Sequence, residues 1–318
     1  MQGIIFSAYD YTLCQQRYTN EFYKYLDNLK KSEWFNKDDI YNYKNKKFLE
    51  IINFAYATVP FYKKFYNENG VKIDKITSLK DIKELPIVSK EMVRQNNLDF
   101  LSNHYKKSNL LKKFTSGTSG IPLEIFSTKK GNSFLFALAW RHKARFGIKF
   151  KDRRLTCGGR ISKAYDPRRL VIANSFFANR SYINGCDINN FNIGEILDFL
   201  NKNYYDFYEG YPSVIDWLSQ LLDKNDLKLL NRPKLIVSGS EQTSEQQKER
   251  WLKTFGARNT EHYANAEFAG SLSKCEYGNF HEDFECGHLE TIESEDSEIK
   301  NLILTGWGNP AMPFIRYE

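Results

Sequence analysis

Leu110-Leu111-Lys112-Lys113-Phe114-Thr115-Ser116-Gly117-Thr118-Ser119-Gly120-Ile121-Pro122-Leu123-Glu124-Ile125-Phe126 reads as two short strands around a loop of small and hydroxylic residues. Leu110 to Phe114 and Leu123 to Phe126 are the strand candidates. Between them, the glycines let backbone N–H groups approach an anion, and the Ser and Thr hydroxyls add donors. No Gly-Lys-Ser/Thr ending follows, which sets the loop apart from a Walker loop. Taken alone, the same residues also make an ordinary polar hairpin loop.

Upstream, residues 1 to 100 read as mostly helical. Asn45 to Ala57 carries Phe48, Leu49, Ile52, Phe54 and Ala55 at helical spacing. Pro60 restarts a helix at its first turn, where a missing N–H costs nothing, and Gly70 marks a stop. Ser78 with Asp81 is a capping-box start. Downstream, Asn132 to Phe146 is a helix that stops at Gly147. Pro212 opens another, with Val214, Ile215, Leu218, Leu221 and Leu222 on one face. Leu235-Ile236-Val237 before a turn has the look of a buried parallel strand. Thr243 with Gln246 predicts a capping box for a helix ending at Gly256. Further strands are expected near 260–263, 288–293 and 301–305. The alternation predicts an α/β fold with mostly parallel sheets and flanking helices over 101–318, with the 1–100 helical region packed on it.

The chain has 318 residues, 41% hydrophobic and 15% aromatic, which is ample for a buried core and unlike a disordered chain. Its net charge of +7 is spread among acids, and the densest basic run is Lys151-Asp152-Arg153-Arg154. That pattern predicts a mildly basic surface, part of which suits a polyphosphate, and no nucleic-acid partner. No run of eighteen apolar residues predicts a membrane span, and Met1 to Leu13 lacks the pattern of a signal peptide. Five cysteines, an odd number, point to reduced thiols and a cytoplasmic protein.

Three more stretches carry candidate chemistry. Ser238-Gly239-Ser240-Glu241 follows the apolar strand, and ligands of α/β folds sit at strand ends; a plain strand-to-helix turn is the alternative. Tyr263-Ala264-Asn265-Ala266-Glu267 sets a carboxylate among small residues, a setting for Mg²⁺ beside a nucleotide or for a solvated loop acid. The last residues, Leu304-Thr305 through Pro313-Phe314-Ile315-Arg316-Tyr317-Glu318, are apolar and punctuated by proline. A domain seldom ends so, and the chain reads as cut.

These stretches together resemble the adenylate-forming superfamily of acyl-CoA synthetases, peptide-synthetase adenylation domains and luciferases. Thr115 to Pro122 is similar to its phosphate loop, Tyr263 to Glu267 to its Tyr-Gly-x-Thr/Ser-Glu motif, and Pro313 to Tyr317 to the lead-in to its Gly-Asp. The phenylacetate–CoA ligase and CapK branch is indicated by Ala57-Thr58-Val59-Pro60-Phe61-Tyr62, Leu85 to Lys90, Gly210-Tyr211-Pro212-Ser213, and Cys275-Glu276 with Gly278 and His281. The matches run in order from about residue 45 to the end. Departures are Ile121 where many relatives have Lys, and Ala264 and Ala266 where Gly and Thr/Ser are usual. The Gly-Asp that should follow Glu318 is absent from the sequence, and so is the C-terminal lid domain with its catalytic Lys.

The resemblance implies the layered N-terminal domain of an AMP-forming acid ligase that uses ATP and Mg²⁺. It makes an acyl-AMP and passes the acyl group to CoA or another acceptor. It implies Thr115, Ser116, Gly117, Thr118, Ser119 and Gly120 on the phosphates, with Thr118 and Glu267 catalytic and Glu267 on Mg²⁺. It implies Ser238, Gly239, Ser240, Glu241, Tyr263 and Ala264 around the adenosine. Tyr208, Gly210, Tyr211 and Pro212 would border a small carboxylic acid. CapK relatives suggest capsule or other surface-polysaccharide synthesis. A nucleotide- or partner-binding protein without catalysis is the rival from another class. Separately, Cys275, His281, Cys286 and His288 carry ligand types for a structural Zn²⁺, with buried thiols and a hydrogen-bonded imidazole as the alternative.

Overall fold

The computed structural model describes residues 2–115, 122–159, 172–175, 177–293 and 300–318. In chain order the helices are α1 (Gln2–Arg17), α2 (Asn20–Ser32), α3 (Lys37–Thr58), α4 (Pro60–Glu68), α5 (Lys90–Gln95), α6 (Lys129–Arg145), α7 (Ile193–Lys202), α8 (Pro212–Lys224) and α9 (Glu245–Phe255). The strands are β1 (Leu111–Phe114), β2 (Glu124–Ser127), β3 (Arg154–Gly158), β4 (Ile172–Ser175), β5 (Arg180–Asn184), β6 (Phe207–Gly210), β7 (Leu235–Gly239), β8 (Arg258–Ala264), β9 (Ser271–Lys274), β10 (Phe280–Glu282), β11 (Gly287–Glu293) and β12 (Lys300–Gly306). Two compact units interleave along the chain. One comprises Met1–Gln15, His142–Tyr263 and Ser273–Phe280; the other comprises Gln16–Arg141, Ala264–Leu272 and His281–Glu318.

The first unit is built on the eight-stranded sheet β10-β9-β8-β7-β6-β3-β5-β4. Its centre is parallel: β5, β3, β6, β7 and β8 run the same way, and β4 is an antiparallel edge. Leu235, Ile236 and Val237 of β7 are buried in succession, as a strand covered on both faces requires. α7, α8 and α9 lay their apolar faces on the sheet, and Ile196, Leu200, Ile215, Leu218, Leu222, Trp251 and Phe255 meet Leu155, Ile183 and Ile236 there. Pro212 stands in the first turn of α8. α9 ends at Gly256 in the left-handed conformation. Its N-cap is Ser244 with Gln247, one residue beyond the expected Thr243 and Gln246. The Thr243 hydroxyl is engaged with that of Ser238 at 2.9 Å instead.

The second unit combines the helices α2 to α5, the β1–β2 hairpin and most of α6 with the antiparallel pair β11–β12. Its core gathers Phe48, Ile52 and Ala55 of α3, Tyr62 and Tyr66 of α4, and Phe100, Phe126, Phe268, Met312, Phe314 and Ile315. The C-terminal stretch is buried and tied in. The Tyr62 hydroxyl donates to Pro313 O at 3.1 Å and accepts from Ile315 N at 2.8 Å, while Tyr317 exchanges backbone bonds with Leu304. The Ser78–Asp81 capping box is present, on a 3-10 turn over Leu79–Glu84. Arg141 is buried with Asp283 and Glu285, which accept from its two terminal nitrogens. Among the described residues no helix is long and apolar enough to cross a membrane.

Candidate active site

In the first unit the candidate residues collect at the carboxyl ends of β6, β7 and β8, where parallel sheets leave a crevice. β6 closes on Gly210, whose φ is +147°. A Cβ there would lie 1.8 Å from Cys157 O, so no other residue lets β6 and β3 run this close. Tyr211 N then donates to the same carbonyl at 3.0 Å, the Tyr211 ring is 39% exposed, and Pro212 starts α8. Glu241, at the end of β7, accepts from Ser213 N at 2.9 Å and from its hydroxyl at 3.0 Å. A carboxylate at a helix N-terminus satisfies an orphan N–H and meets the positive end of the helix dipole.

The β7 turn is shaped by Gly239, where a Cβ would meet His262 O at 2.8 Å, and by Ser240, whose φ is +68°. A non-glycine residue in the left-handed region costs of order 1 kcal/mol and persists where the surroundings enforce it. They do so here through Ser238, buried and bonded to Thr243 and to Asn259 Nδ2 at 2.9 Å. Ser238 therefore anchors the turn, while Ser240 and Glu241 are exposed on it. Tyr263, 39% exposed, sits near the end of β8, and Ala264 closes that strand. Tyr208 is a core residue, packed edge-on against Phe255.

Glu209, between Tyr208 and Gly210, escaped the sequence reading. Its carboxylate takes the Lys143 ammonium at 2.5 Å and the Thr156 hydroxyl at 3.1 Å, with Arg154 Nε at 3.3 Å. Burial pushes its pKa up, but Lys143 and Arg154 overcome that and hold it far below the usual carboxylate range. This network fixes the strand that delivers Gly210 and Tyr211.

In the second unit Glu267 is buried, and one oxygen, Oε1, accepts from the Tyr317 hydroxyl at 3.2 Å. The next residue, Phe268, has φ +61° and a buried ring, and the turn is closed by Ala269 N donating to Asn265 Oδ1 at 2.9 Å. Thr115 roots the β1–β2 hairpin: its N–H donates to Leu123 O at 3.1 Å, and its hydroxyl accepts from Leu123 N at 2.9 Å. Ser116, Gly117, Thr118, Ser119 and Gly120 lie outside the described residues. Lys113 is a further residue that the sequence reading did not single out, since nothing local marks an alternating strand lysine.

The zinc expectation finds no support among the described residues. Among the described residues no three His, Cys, Asp or Glu side chains converge on a metal position. Cys275 opens a hairpin turn closed by Cys275 N donating to Asn279 O at 2.8 Å. Cys286 is fully buried, and its N–H closes a turn on Asp283 O. β11 begins only at Gly287, so strand alternation does not bring Cys286 and His288 to one side. His281 is exposed, and His288 Nδ1 lies 3.4 Å from Glu282 Oε1.

No protein-family profile matches the chain. Its sequence is 23% identical to Protein CapK of Staphylococcus aureus over all 318 residues, which span 69% of that protein. Its fold is similar to that of 2-hydroxyisobutyryl-CoA ligase solved in an open conformation with 2-HIB-AMP and CoA. The TM-score is 0.65 at 14% identity, over 86% of this chain and 66% of that one. The same ligase in its postadenylation state with R3-HIB-AMP gives a TM-score of 0.62 at 14% identity, over 88% of this chain and 61% of that one. The chain thus spans less than two thirds of the length of these ligases. It has the adenylate-forming ligase fold, and by sequence it is similar to CapK from end to end.

Proposed function

We propose that the chain carries the nucleotide- and acid-binding part of an ATP-dependent, AMP-forming carboxylate ligase of the phenylacetate–CoA ligase and CapK kind. The observation that carries this reading is the end-to-end similarity to CapK on a fold shared with a ligase solved with an acyl-adenylate and CoA. In the reaction, a carboxylate oxygen of the acid attacks the α-phosphorus of ATP. The bond to the bridging oxygen breaks, and pyrophosphate leaves with the electron pair. The acyl group of the adenylate then passes to CoA or another acceptor and AMP leaves. Surface-polysaccharide synthesis is the setting that the CapK resemblance favours.

Both reactants are anions, so the work of the protein is positioning and charge stabilisation. Tyr211 and the Gly210–Pro212 turn border the acid, and the exposed Ser240–Glu241 turn with Tyr263 borders the adenosine. Thr115 to Gly120 take the phosphates. Glu267 suits Mg²⁺: its carboxylate is buried, and one oxygen is held by Tyr317 while the other has no hydrogen-bond partner among the described residues. Mg²⁺ bound through one carboxylate and phosphate oxygens neutralises phosphate charge. The Tyr317 hydroxyl keeps the Glu267 carboxylate in place.

The test is acid-dependent exchange of labelled pyrophosphate into ATP, run over a panel of small, aromatic and sugar-derived carboxylic acids. Exchange with one acid class, and a hydroxamate on trapping with hydroxylamine, is the expected result. ATP binding with no exchange for any acid would favour the non-catalytic nucleotide-binding reading.

A further inference from the structure

Lys113, half-buried, differs from the buried cations Arg141, Lys44 and Arg316 of the second unit. Arg141 is paired with Asp283 and Glu285, Lys44 with Glu282, and Arg316 with Glu290. Lys113 has no carboxylate partner among the described residues. Its ammonium donates to Asn132 Oδ1 at 2.6 Å and lies 4.5 Å from the centre of the Phe268 ring. Asn132 is itself buried, and its Nδ2 donates to Gln16 O at 2.9 Å, which turns Oδ1 toward the lysine. Burial, and then the charge of Arg17, lower the Lys113 pKa to about 8. Arg17 lies 4.4 Å from the centre of the Phe136 ring. A half-buried ammonium that meets an amide oxygen and a ring face, with no carboxylate partner among the described residues, is suited to an anion.

Its place in the chain selects the anion. Lys113 lies opposite Ile125 in the β1–β2 hairpin, two residues before Thr115. The ring it touches belongs to Phe268, the residue after Glu267. The side chain thus stands at the root of the Ser/Thr/Gly loop and beside the Glu267 turn. We propose that Lys113 is a phosphate-binding residue that takes the polyphosphate chain of the nucleotide, with Asn132 as the positioning residue that aims it. This inference rests on the ligase reading and adds to it a cation outside the loop. The charge serves where negative charge gathers on the departing pyrophosphate.

The experiment is calorimetric titration of the chain with Mg–ATP, with inorganic tripolyphosphate and with adenosine. Lys113→Met and Lys113→Gln remove the charge in two ways, so one folding failure does not end the test, and Lys113→Arg restores it. The neutral variants should bind Mg–ATP and tripolyphosphate roughly tenfold to a hundredfold more weakly, with adenosine affinity unchanged and most of the loss regained in Lys113→Arg. Equal Mg–ATP affinity in wild type and the neutral variants overturns the inference and leaves the ligase reading standing. So does an equal fall for all three ligands, which marks a merely structural lysine. Wild-type protein that binds neither Mg–ATP nor tripolyphosphate overturns both.

Discussion

Tyr317 donates its hydroxyl to Glu267 at 3.2 Å, and each partner adjoins a residue in the left-handed region: Phe268 at φ +61° and Arg316 at φ +47°. Neither is glycine, so each conformation is imposed by its surroundings. Phe268 is held by its buried ring and the Asn265 turn. Arg316 is held by a two-pronged pair with Glu290 and by bonds to the carbonyls of Lys83 and Leu85. Strain on both sides of one buried carboxylate suits a residue whose position matters to chemistry.

Glu267→Gln keeps the shape and the bond from Tyr317 but removes the charge. Acid-dependent pyrophosphate exchange should fall by about a hundredfold or more, with Tm shifted by only a few degrees. Tyr317→Phe should cost about 1 kcal/mol of stability and a smaller part of the exchange rate. Undiminished exchange in Glu267→Gln would remove that residue from the reaction.

Gly210→Ala should fail through the backbone. The added Cβ would meet Cys157 O at 1.8 Å, and φ of +147° is open only to glycine. The expected loss is several kcal/mol, at the high end for single substitutions, read by chemical denaturation. Gly194→Ala is the control, since a Cβ there meets nothing within 4 Å. Equal stability of the two variants would show that the β3–β6 approach is looser than described.

The elements that the sequence made legible are those whose signals are local. α3 and α8 follow from 3.6-residue periodicity, α4 and α8 start on proline, and β7 is an unbroken apolar run. β3 was hidden because it opens on Arg154, which looks like surface but is buried against Glu209, 55 residues later. Long-range pairing of charges leaves no trace in a window of sequence. The site divides the same way. Small residues flagged the turns, but the left-handed Ser240 and Phe268 and the half-buried Lys113 depend on contacts that only the fold supplies.

Glu209 should set part of the acid limit of stability. Its carboxyl titrates far below the ordinary value of 4.5, so its ion pairs stabilise the fold fully above about pH 4.5 and are lost as pH falls through the depressed pKa. Glu209→Gln leaves Lys143 and Arg154 facing a neutral amide and should cost about 2–4 kcal/mol at pH 7. The stability difference from wild type should shrink as pH is lowered below 4. A constant difference from pH 7 to pH 3 would mean that the cost is packing and not charge.

The cysteines supply the last prediction. Cys157 and Cys286 are fully buried, and burial raises both thiols well above their ordinary pKa. The thiolate is the reactive form, so burial slows these two by access and by ionisation together. Cys186 is exposed, and Cys14 and Cys275 are half-buried. A thiol reagent at pH 8 should therefore label Cys186 first, and should reach Cys157 and Cys286 only with denaturant. If Cys275 and Cys286 shared a zinc ion, both would be protected and both released together by a chelator. Without a shared zinc, a chelator should change neither the labelling order nor Tm, and elemental analysis of protein purified without a metal column should find no stoichiometric zinc. Chelator-dependent exposure of Cys286 would contradict the described arrangement.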